Sequence, residues 1–329
     1  MAVAVVLFHL RVFGSSTIFD IHGYLSHQVE LSDIINFNML HLSVPVFFVV
    51  SLFLLNEKWM QGGFHLSARL ERLVWLYCFW VGVLVLFYHL EDKLSLIKPD
   101  SISKWVIFIV NGGYSVFYFL FSLILLSVIS FLLFKLSSGI HWILLVISTV
   151  PMWLFPVAVK EFNASPIWVA FWNPLNFLPY IFISSLTCKY LREKKDLIHT
   201  ILFRRIIIIL FGVCVVSAAV EWRCFPDTHN FVYNGSAFPS LTRMSLVAGA
   251  GFLFLISFYV QRPSGAVIRF LSDYSLGIYC LHGFVYWYYE QLKMVKGYSF
   301  CNVVDLIIVI SVSLALSVIL RRAFSNGLI

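Results

Sequence analysis

The chain has 329 residues, of which 60% are hydrophobic, 18% are aromatic and 12% are charged, and its mean hydropathy is +0.90. Soluble globular proteins carry about 25% charged residues, so this composition excludes a protein whose surface faces water over most of its area. The net charge of +7 does not indicate a nucleic-acid-binding protein, because the Lys and Arg residues lie between apolar runs rather than in clusters.

Apolar runs long enough to cross a bilayer recur along the whole chain. A hydrocarbon core about 30 Å thick requires about 20 mainly apolar residues in helical form, and open strands leave their backbone groups unsatisfied in lipid. We therefore predict an all-α integral membrane protein, a polytopic bundle of about ten transmembrane helices. In chain order, the candidate spans are Met1–Gly14, Met39–Leu55, Leu73–Leu90, Gly113–Leu136, Ile140–Val157, Trp168–Tyr190, Ile206–Val220, Met244–Val260, Val267–Tyr289 and Val303–Leu320.

The distribution of positive charge predicts how these spans are oriented. If the N-terminus is inside, the inner loops and helix ends contain fourteen Lys and Arg residues and the outer ones contain eight, with Arg11 inside or just beyond the first span. Cytoplasmic loops carry the excess of Lys and Arg in membrane proteins. Both termini are therefore predicted to be cytoplasmic.

A histidine interrupts the first apolar run. His9 follows the uninterrupted apolar residues Val3–Phe8, and ionisable groups within a span usually face a cavity or a partner. A neutral imidazole can take a proton from a substrate hydroxyl as a general base, or can first accept an acyl group as a nucleophile. A hydrogen bond to a neighbouring helix accounts for such a histidine equally well.

Two arginines lie three residues apart at the predicted cytoplasmic end of the third span. The spacing of Arg69 and Arg72 places both guanidinium groups on one helix face. Because Arg binds phosphate through two parallel hydrogen bonds, the pair suits a phosphorylated ligand. The excess of positive charge at cytoplasmic helix ends is the alternative explanation.

The remaining polar groups favour structural interpretations. His282 lies within the ninth predicted span, where a hydrogen bond between helices is the favoured role. The six cysteines have no paired spacing and predict neither a zinc site nor a disulfide framework. The first outer loop has no recognised metal-ligand spacing, so we interpret it as solvated or sugar-facing rather than as a metal site. Its acidic and histidine residues are Asp20, His22, His27, Glu30, Asp33 and His41.

Four motifs, in this order, resemble those of membrane-bound acyltransferase family 3. They are His9 in the first span, the stretch Phe47-Phe48-Val-Val-Ser51-Leu-Phe53, the sequence Arg69-Leu-Glu-Arg72, and the sequence Gly277-Ile-Tyr279-Cys-Leu-His282. Within that family the chain is similar to the O-acetyltransferases that modify O-antigen and enterobacterial common antigen. The resemblance covers nearly the whole chain and implies a single transmembrane acyltransferase domain over residues 1–329, in the cytoplasmic membrane of a bacterium.

The resemblance also implies an activity and roles for individual residues. The expected enzyme transfers an acetyl group from its donor substrate acetyl-CoA to a hydroxyl of a lipid-linked or surface glycan, with no bound cofactor and no metal. Its expected partners are these two substrates and membrane lipids, without nucleic acid. The matching positions are His9 as the catalytic residue, Arg69 and Arg72 for binding the acyl donor, and Ser51, Tyr118 and His282 as supporting residues.

The chain departs from the family pattern at two places. Leu52 stands where the family has a glycine, and an arginine that precedes the first-span histidine in the family would fall before Met1. The fourteen residues of the first span rise only about 21 Å as a helix, which is short for a bilayer. We therefore expect either that the chain starts downstream of its natural start or that it is a divergent member.

A transporter is the rival hypothesis. Ten spans with internal His and Arg residues also fit a transporter or flippase of a glycan or an acylated intermediate. Transporters often contain inverted repeats with paired Gly or Pro interruptions, and this chain has no clear pair of that kind. We therefore favour the acyltransferase. Binding residues often lie on loops, so the candidate glycan contacts are the loops Ser15–Asn38 and Glu221–Arg243.

Overall fold

The computed structural model describes residues 2–10, 12–13, 29–62, 65–91, 93, 99–193, 197–225, 239–259, 265–296 and 302–323. Within these ranges the chain is mainly helical and contains no strand. The predicted all-α class is therefore confirmed.

The helices are numbered in chain order. They are α1 (Ala2–His9), α2 (Leu31–Ile34), α3 (Ser43–Gln61), α4 (Leu66–Leu90), α5 (Ile102–Val110), α6 (Tyr118–Leu133), α7 (Ser138–Thr149), α8 (Pro151–Phe162), α9 (Leu178–Glu193), α10 (Ile201–Cys224), α11 (Met244–Ser257), α12 (Ala266–Asp273), α13 (Ser275–Lys296) and α14 (Asn302–Ala323). A π-helical segment (Ile35–Met39) and a 3₁₀ turn (Leu40–Leu42) connect α2 to α3.

Among the described residues, five helical stretches are long and apolar enough to cross a bilayer. They are Leu31–Gln61, Leu66–Leu90, Ser138–Phe162, Ile201–Cys224 and Val303–Ala323. They overlap the second, third, fifth, seventh and tenth predicted spans. The count of ten spans and the cytoplasmic placement of both termini remain predictions.

Several predicted spans are less regular than expected. The first is helical only over α1, and Arg11 lies outside the described residues. The fourth becomes helical only at Tyr118. The sixth starts with two 3₁₀ turns that end at Phe177, each with a proline in its first turn, where the fixed φ angle and the missing N–H are tolerated. The ninth is broken at Tyr274, between α12 and α13.

The chain divides into two compact units. The first contains Met1–Gly14, Ser67–Phe121 and Arg262–Ile329, and the second contains Ser15–Leu66 and Ser122–Gln261. In the first unit, α1 packs against α13 and α14, which also pack against each other. In the second unit, α9 packs against α3 and α7, while α11 packs against α3 and α10.

Aromatic rings and one ion pair join the helices of the first unit. The Trp80 ring of α4 lies 5.9 Å from that of Phe117 and 6.4 Å from that of Phe284 on α13, measured between centroids. The Lys293 ammonium on α13 lies 2.9 Å from the Asp305 carboxylate on α14. Because Asp305 is buried, this pair compensates a charge that would otherwise be costly there.

A buried asparagine joins three helices of the second unit. The Asn56 amide on α3 donates to the Ser185 hydroxyl on α9 at 3.0 Å, and its carbonyl oxygen accepts from the Ser130 hydroxyl on α6 at 3.0 Å. Polar side chains in apolar bundles find partners on neighbouring helices. Asn56 therefore fixes how these three helices pack.

We expect Ser185→Ala to destabilise the protein by about 1 kcal/mol, because it removes a hydrogen bond between helices. The measurement is the midpoint of thermal aggregation of detergent-purified protein. The neighbouring Ser184 is equally buried, but its hydroxyl donates to the Ile181 carbonyl of the same helix at 2.8 Å. Ser184→Ala is therefore the matched control, and an equal loss in both variants would contradict the role of Asn56.

Candidate active site

The first unit brings the two predicted site histidines together. His9 is the last residue of α1, and its side chain is exposed. The centroid of its ring lies 5.3 Å from that of His282, with the two ring planes inclined by 37°. His282 lies on α13 and is 1% exposed. One accessible imidazole therefore adjoins one buried imidazole.

His282 is oriented by its own helix. Its Nδ1 lies 2.6 Å from the carbonyl oxygen of Tyr279, one turn earlier. A carbonyl oxygen only accepts hydrogen bonds, so Nδ1 carries the proton and donates. In the neutral ring, Nε2 is consequently an acceptor. The backbone thus fixes both the tautomer and the direction of this ring.

Tyr279 connects the histidine pair to the start of α6. Its hydroxyl donates to the Val116 carbonyl at 2.7 Å, and its ring lies 5.4 Å from that of Phe119. Tyr118, a predicted supporting residue, is buried between these two positions in the sequence. The structure therefore places Tyr118 in a segment that is held against α13.

A tight left-handed turn leads into this segment. Three consecutive residues have positive φ angles, namely Gly112 at 62°, Gly113 at 74° and Tyr114 at 61°. A Cβ atom at Gly112 would overlap the carbonyl carbon of Phe117 and the amide nitrogen of Tyr118. Tyr114 is a bulky residue in a costly backbone conformation, which is a feature that clusters at functional sites. We did not predict this turn, although the sequence Asn-Gly-Gly is a turn signal.

Arg69 and Arg72 lie in the first two turns of α4. The Arg69 side chain is half-buried and the Arg72 side chain is exposed. Along the helix axis, the two residues precede Trp80 by about 17 and 12 Å. Trp80 in turn packs against Phe284, which follows His282 by two residues. Within the first unit, α4 therefore extends from the arginine pair to the helix that carries His282.

Ser51 belongs to the second unit. It is half-buried on α3, in the stretch that resembles a family motif. The aromatic residues of that stretch are packing residues: the Phe48 ring lies 4.5 Å from that of Phe177, and the Phe53 ring lies 5.2 Å from that of Phe254. Leu52, where the family has a glycine, is fully buried.

The first outer loop is less exposed than we predicted. Asp33 and His41 are both buried, so the expectation of a solvated or sugar-facing position is wrong for them. The Asp33 carboxylate accepts from the Glu30 N–H at 2.9 Å as part of a capping box, and His41 Nδ1 lies 2.7 Å from the Asn36 carbonyl. Asp20, His22 and His27 lie outside the described residues.

The ends of the Glu221–Arg243 loop are also buried. The Glu221 carboxylate accepts from the backbone N–H of Ser245 at 2.9 Å, at the start of α11, where the helix dipole favours a negative charge. Arg243 is 1% exposed and donates to the carbonyl oxygens of Phe37 and Ser240. These two residues hold backbone segments together and are not exposed loop positions. The rest of the loop, residues 226–238, lies outside the described residues.

A family model described as an acyltransferase domain matches residues 1–322 of this chain. The chain belongs to membrane-bound acyltransferase family 3. Searches of curated proteins and of solved structures found no match. Family membership and the apolar helices together identify a membrane acyltransferase. The acyltransferase hypothesis is therefore confirmed as to the class of protein, rather than the rival transporter.

Proposed function

We propose that this acyltransferase transfers an acetyl group from acetyl-CoA to a hydroxyl of a surface glycan, such as O-antigen, enterobacterial common antigen or a similar polysaccharide, at the bacterial cytoplasmic membrane. One observation carries the proposal. The exposed His9 adjoins the buried His282 in the same unit whose α4 presents Arg69 and Arg72. The two histidines suit proton transfer, and the two arginines suit phosphate binding.

His9 acts on the acceptor hydroxyl. The hydroxyl oxygen attacks the thioester carbonyl, a carbon–oxygen bond forms, and the carbon–sulfur bond of acetyl-CoA breaks. His9 takes the hydroxyl proton as general base and returns it to the departing CoA thiolate. The products are an acetyl ester and CoA, and His9 regains its starting state. Its exposed position at the end of α1 suits a residue that must reach a substrate.

Arg69 and Arg72 hold the phosphates of CoA through charge-assisted hydrogen bonds. The exposed Arg72 suits a donor that arrives from solution. Arg72 and Arg69 lie about 12 and 17 Å from Trp80 along α4. The Trp80 ring packs against that of Phe284, which lies on α13, the helix that carries His282. The long arm of CoA, which separates its phosphates from its thioester, suits a site with such a separation.

The proposal is tested with inverted membrane vesicles that contain the protein and radiolabelled acetyl-CoA. Base-labile label should accumulate in the polysaccharide fraction and should be missing from vesicles that lack the protein. An excess of unlabelled propionyl-CoA tests whether acetyl is preferred, since both donors carry the same phosphates. If no label reaches polysaccharide, either the donor or the acceptor in the proposal is wrong.

Arg69→Ala and Arg72→Ala should each raise KM for acetyl-CoA by about 10- to 100-fold, the effect of losing a hydrogen bond to a charged group. KM is measured in the same vesicle assay. Arg322→Ala is the control, because it removes an exposed arginine at the end of α14, predicted to lie on the same side of the membrane. If the arginine variants fail to insert while Arg322→Ala inserts, their role is topological and the donor-site proposal fails.

A further inference from the structure

We infer that His282 is a positioning residue for His9: its Nε2 accepts a hydrogen bond from the His9 ring and orients that ring toward the acceptor hydroxyl. The inference rests on the proposed function and deepens it. From the residues alone we interpreted His282 as a hydrogen-bonding group between helices, and the family resemblance implied only a supporting role without stating what it is.

The tautomer of His282 supports this role. The Tyr279 carbonyl accepts the Nδ1 proton at 2.6 Å, which leaves Nε2 of the neutral ring as an acceptor. If His282 had only a structural role, the hydrogen bond of its Nδ1 within α13 would be sufficient. The acceptor Nε2 is the part of His282 that can act on a neighbouring donor.

The neighbour of suitable chemistry is His9. The structure shows these two rings in contact, with centroids 5.3 Å apart and planes inclined by 37°, and not yet joined by a direct hydrogen bond. A small rotation of the exposed His9 ring or one bridging water completes the bond, as catalytic hydrogen bonds often tighten only when substrate is bound. A neutral imidazole has one N–H, and His282 gives that N–H of His9 an acceptor. The other nitrogen of His9 is then the unprotonated one, which a general base requires.

The same contact favours the protonated state of His9. When His9 takes the proton of the acceptor hydroxyl, both of its nitrogens become donors. The nitrogen that faces His282 then makes a charge-assisted hydrogen bond, which is stronger than the neutral one. The contact therefore strengthens as the reaction proceeds, and interactions of that kind raise kcat rather than substrate affinity.

Neighbouring groups hold the His282 ring in this orientation. His282 is held by Tyr279, and Tyr279 is held by the Val116 carbonyl at 2.7 Å. A positioning residue must itself be fixed by its surroundings. The burial of His282 supplies the same restraint, because its ring has little room to turn.

Two substitutions separate the positioning role from a structural one. The amide of His282→Asn falls near Nδ1 and preserves the donor to the Tyr279 carbonyl, but leaves no acceptor at Nε2. The longer amide of His282→Gln falls near Nε2 and preserves an acceptor there. Each is compared with wild type and with Gly283→Ala, because an added Cβ at Gly283 meets nothing within 4 Å. The assay is label transfer from acetyl-CoA to polysaccharide in vesicles, normalised to membrane abundance.

We expect His282→Asn to lower kcat by about 10- to 100-fold with KM for acetyl-CoA unchanged, and His282→Gln to retain a larger share of kcat. The reverse order, or wild-type kcat in His282→Asn, would overturn the inference. If His282→Gln does not accumulate, His282→Ser provides a second variant without the Nε2 acceptor, and it should lose kcat as His282→Asn does. Absence of transfer by the wild-type protein would instead contradict the proposed function.

Discussion

His9→Ala should lower acetyl transfer by about 10²- to 10⁴-fold, the contribution of general acid–base catalysis, while the protein still accumulates in the membrane. Alanine offers no group that can take the hydroxyl proton. Abundance should persist because the His9 side chain is exposed at the end of α1, so its removal leaves no buried cavity. The measurement is transfer per unit of inserted protein in vesicles.

The control for this prediction is His89→Ala, which removes another exposed histidine from the same unit, in the last turn of α4. That variant should transfer acetyl at the wild-type rate. Normal transfer by His9→Ala would remove His9 from the mechanism. Mass spectrometry of protein quenched during turnover separates the two chemical roles, since an acetylated His9 would show a nucleophile rather than a general base.

Gly112→Ala should prevent stable accumulation of the protein. A Cβ at this position overlaps backbone atoms of Phe117 and Tyr118, which cannot move aside as the end of a flexible side chain can. The residue also has a φ of 62°, which alanine adopts at a cost of about 1–2 kcal/mol before the overlap is counted. We expect the free energy of unfolding to fall by about 4 kcal/mol or more, a loss that only a few kinds of structural damage cause.

This loss is measured as membrane abundance and as the aggregation midpoint of any protein that can be purified. Gly82→Ala is the matched control, because Gly82 lies within α4 of the same unit and an added Cβ meets nothing within 4 Å there. That variant should accumulate normally. Wild-type abundance and activity in Gly112→Ala would show that the turn at residues 112–114 is not required.

The helical class was predictable because it follows from composition. A chain with 12% charged residues and repeated apolar runs has to satisfy its backbone within helices. The starts and breaks of individual helices were less predictable. The ninth predicted span runs through the short polar stretch Ser272–Ser275, which a hydropathy average over about twenty residues hides, yet α12 ends there at Asp273. The turn before Tyr118 depends on how closely the backbone approaches Gly112.

The sequence names candidate site residues one by one, but it does not give their arrangement. Motif resemblance identified His9 and His282 separately, while their contact depends on α1 packing against α13, which no local pattern encodes. The burial of Arg243 was not predicted. Counting it as a loop cation assumed solvent exposure, whereas the carbonyl oxygens of Phe37 and Ser240 receive its hydrogen bonds.

Glycan O-acetylation by this protein is measured most directly as the amount of base-labile acetate on surface polysaccharide. Cells that lack the protein are complemented with this chain or with its His9→Ala variant, at matched membrane abundance. We expect acetate to return with the chain and to be missing with His9→Ala. Equal acetate in the two complemented strains, or no acetate in either, would contradict a glycan O-acetyltransferase that uses His9.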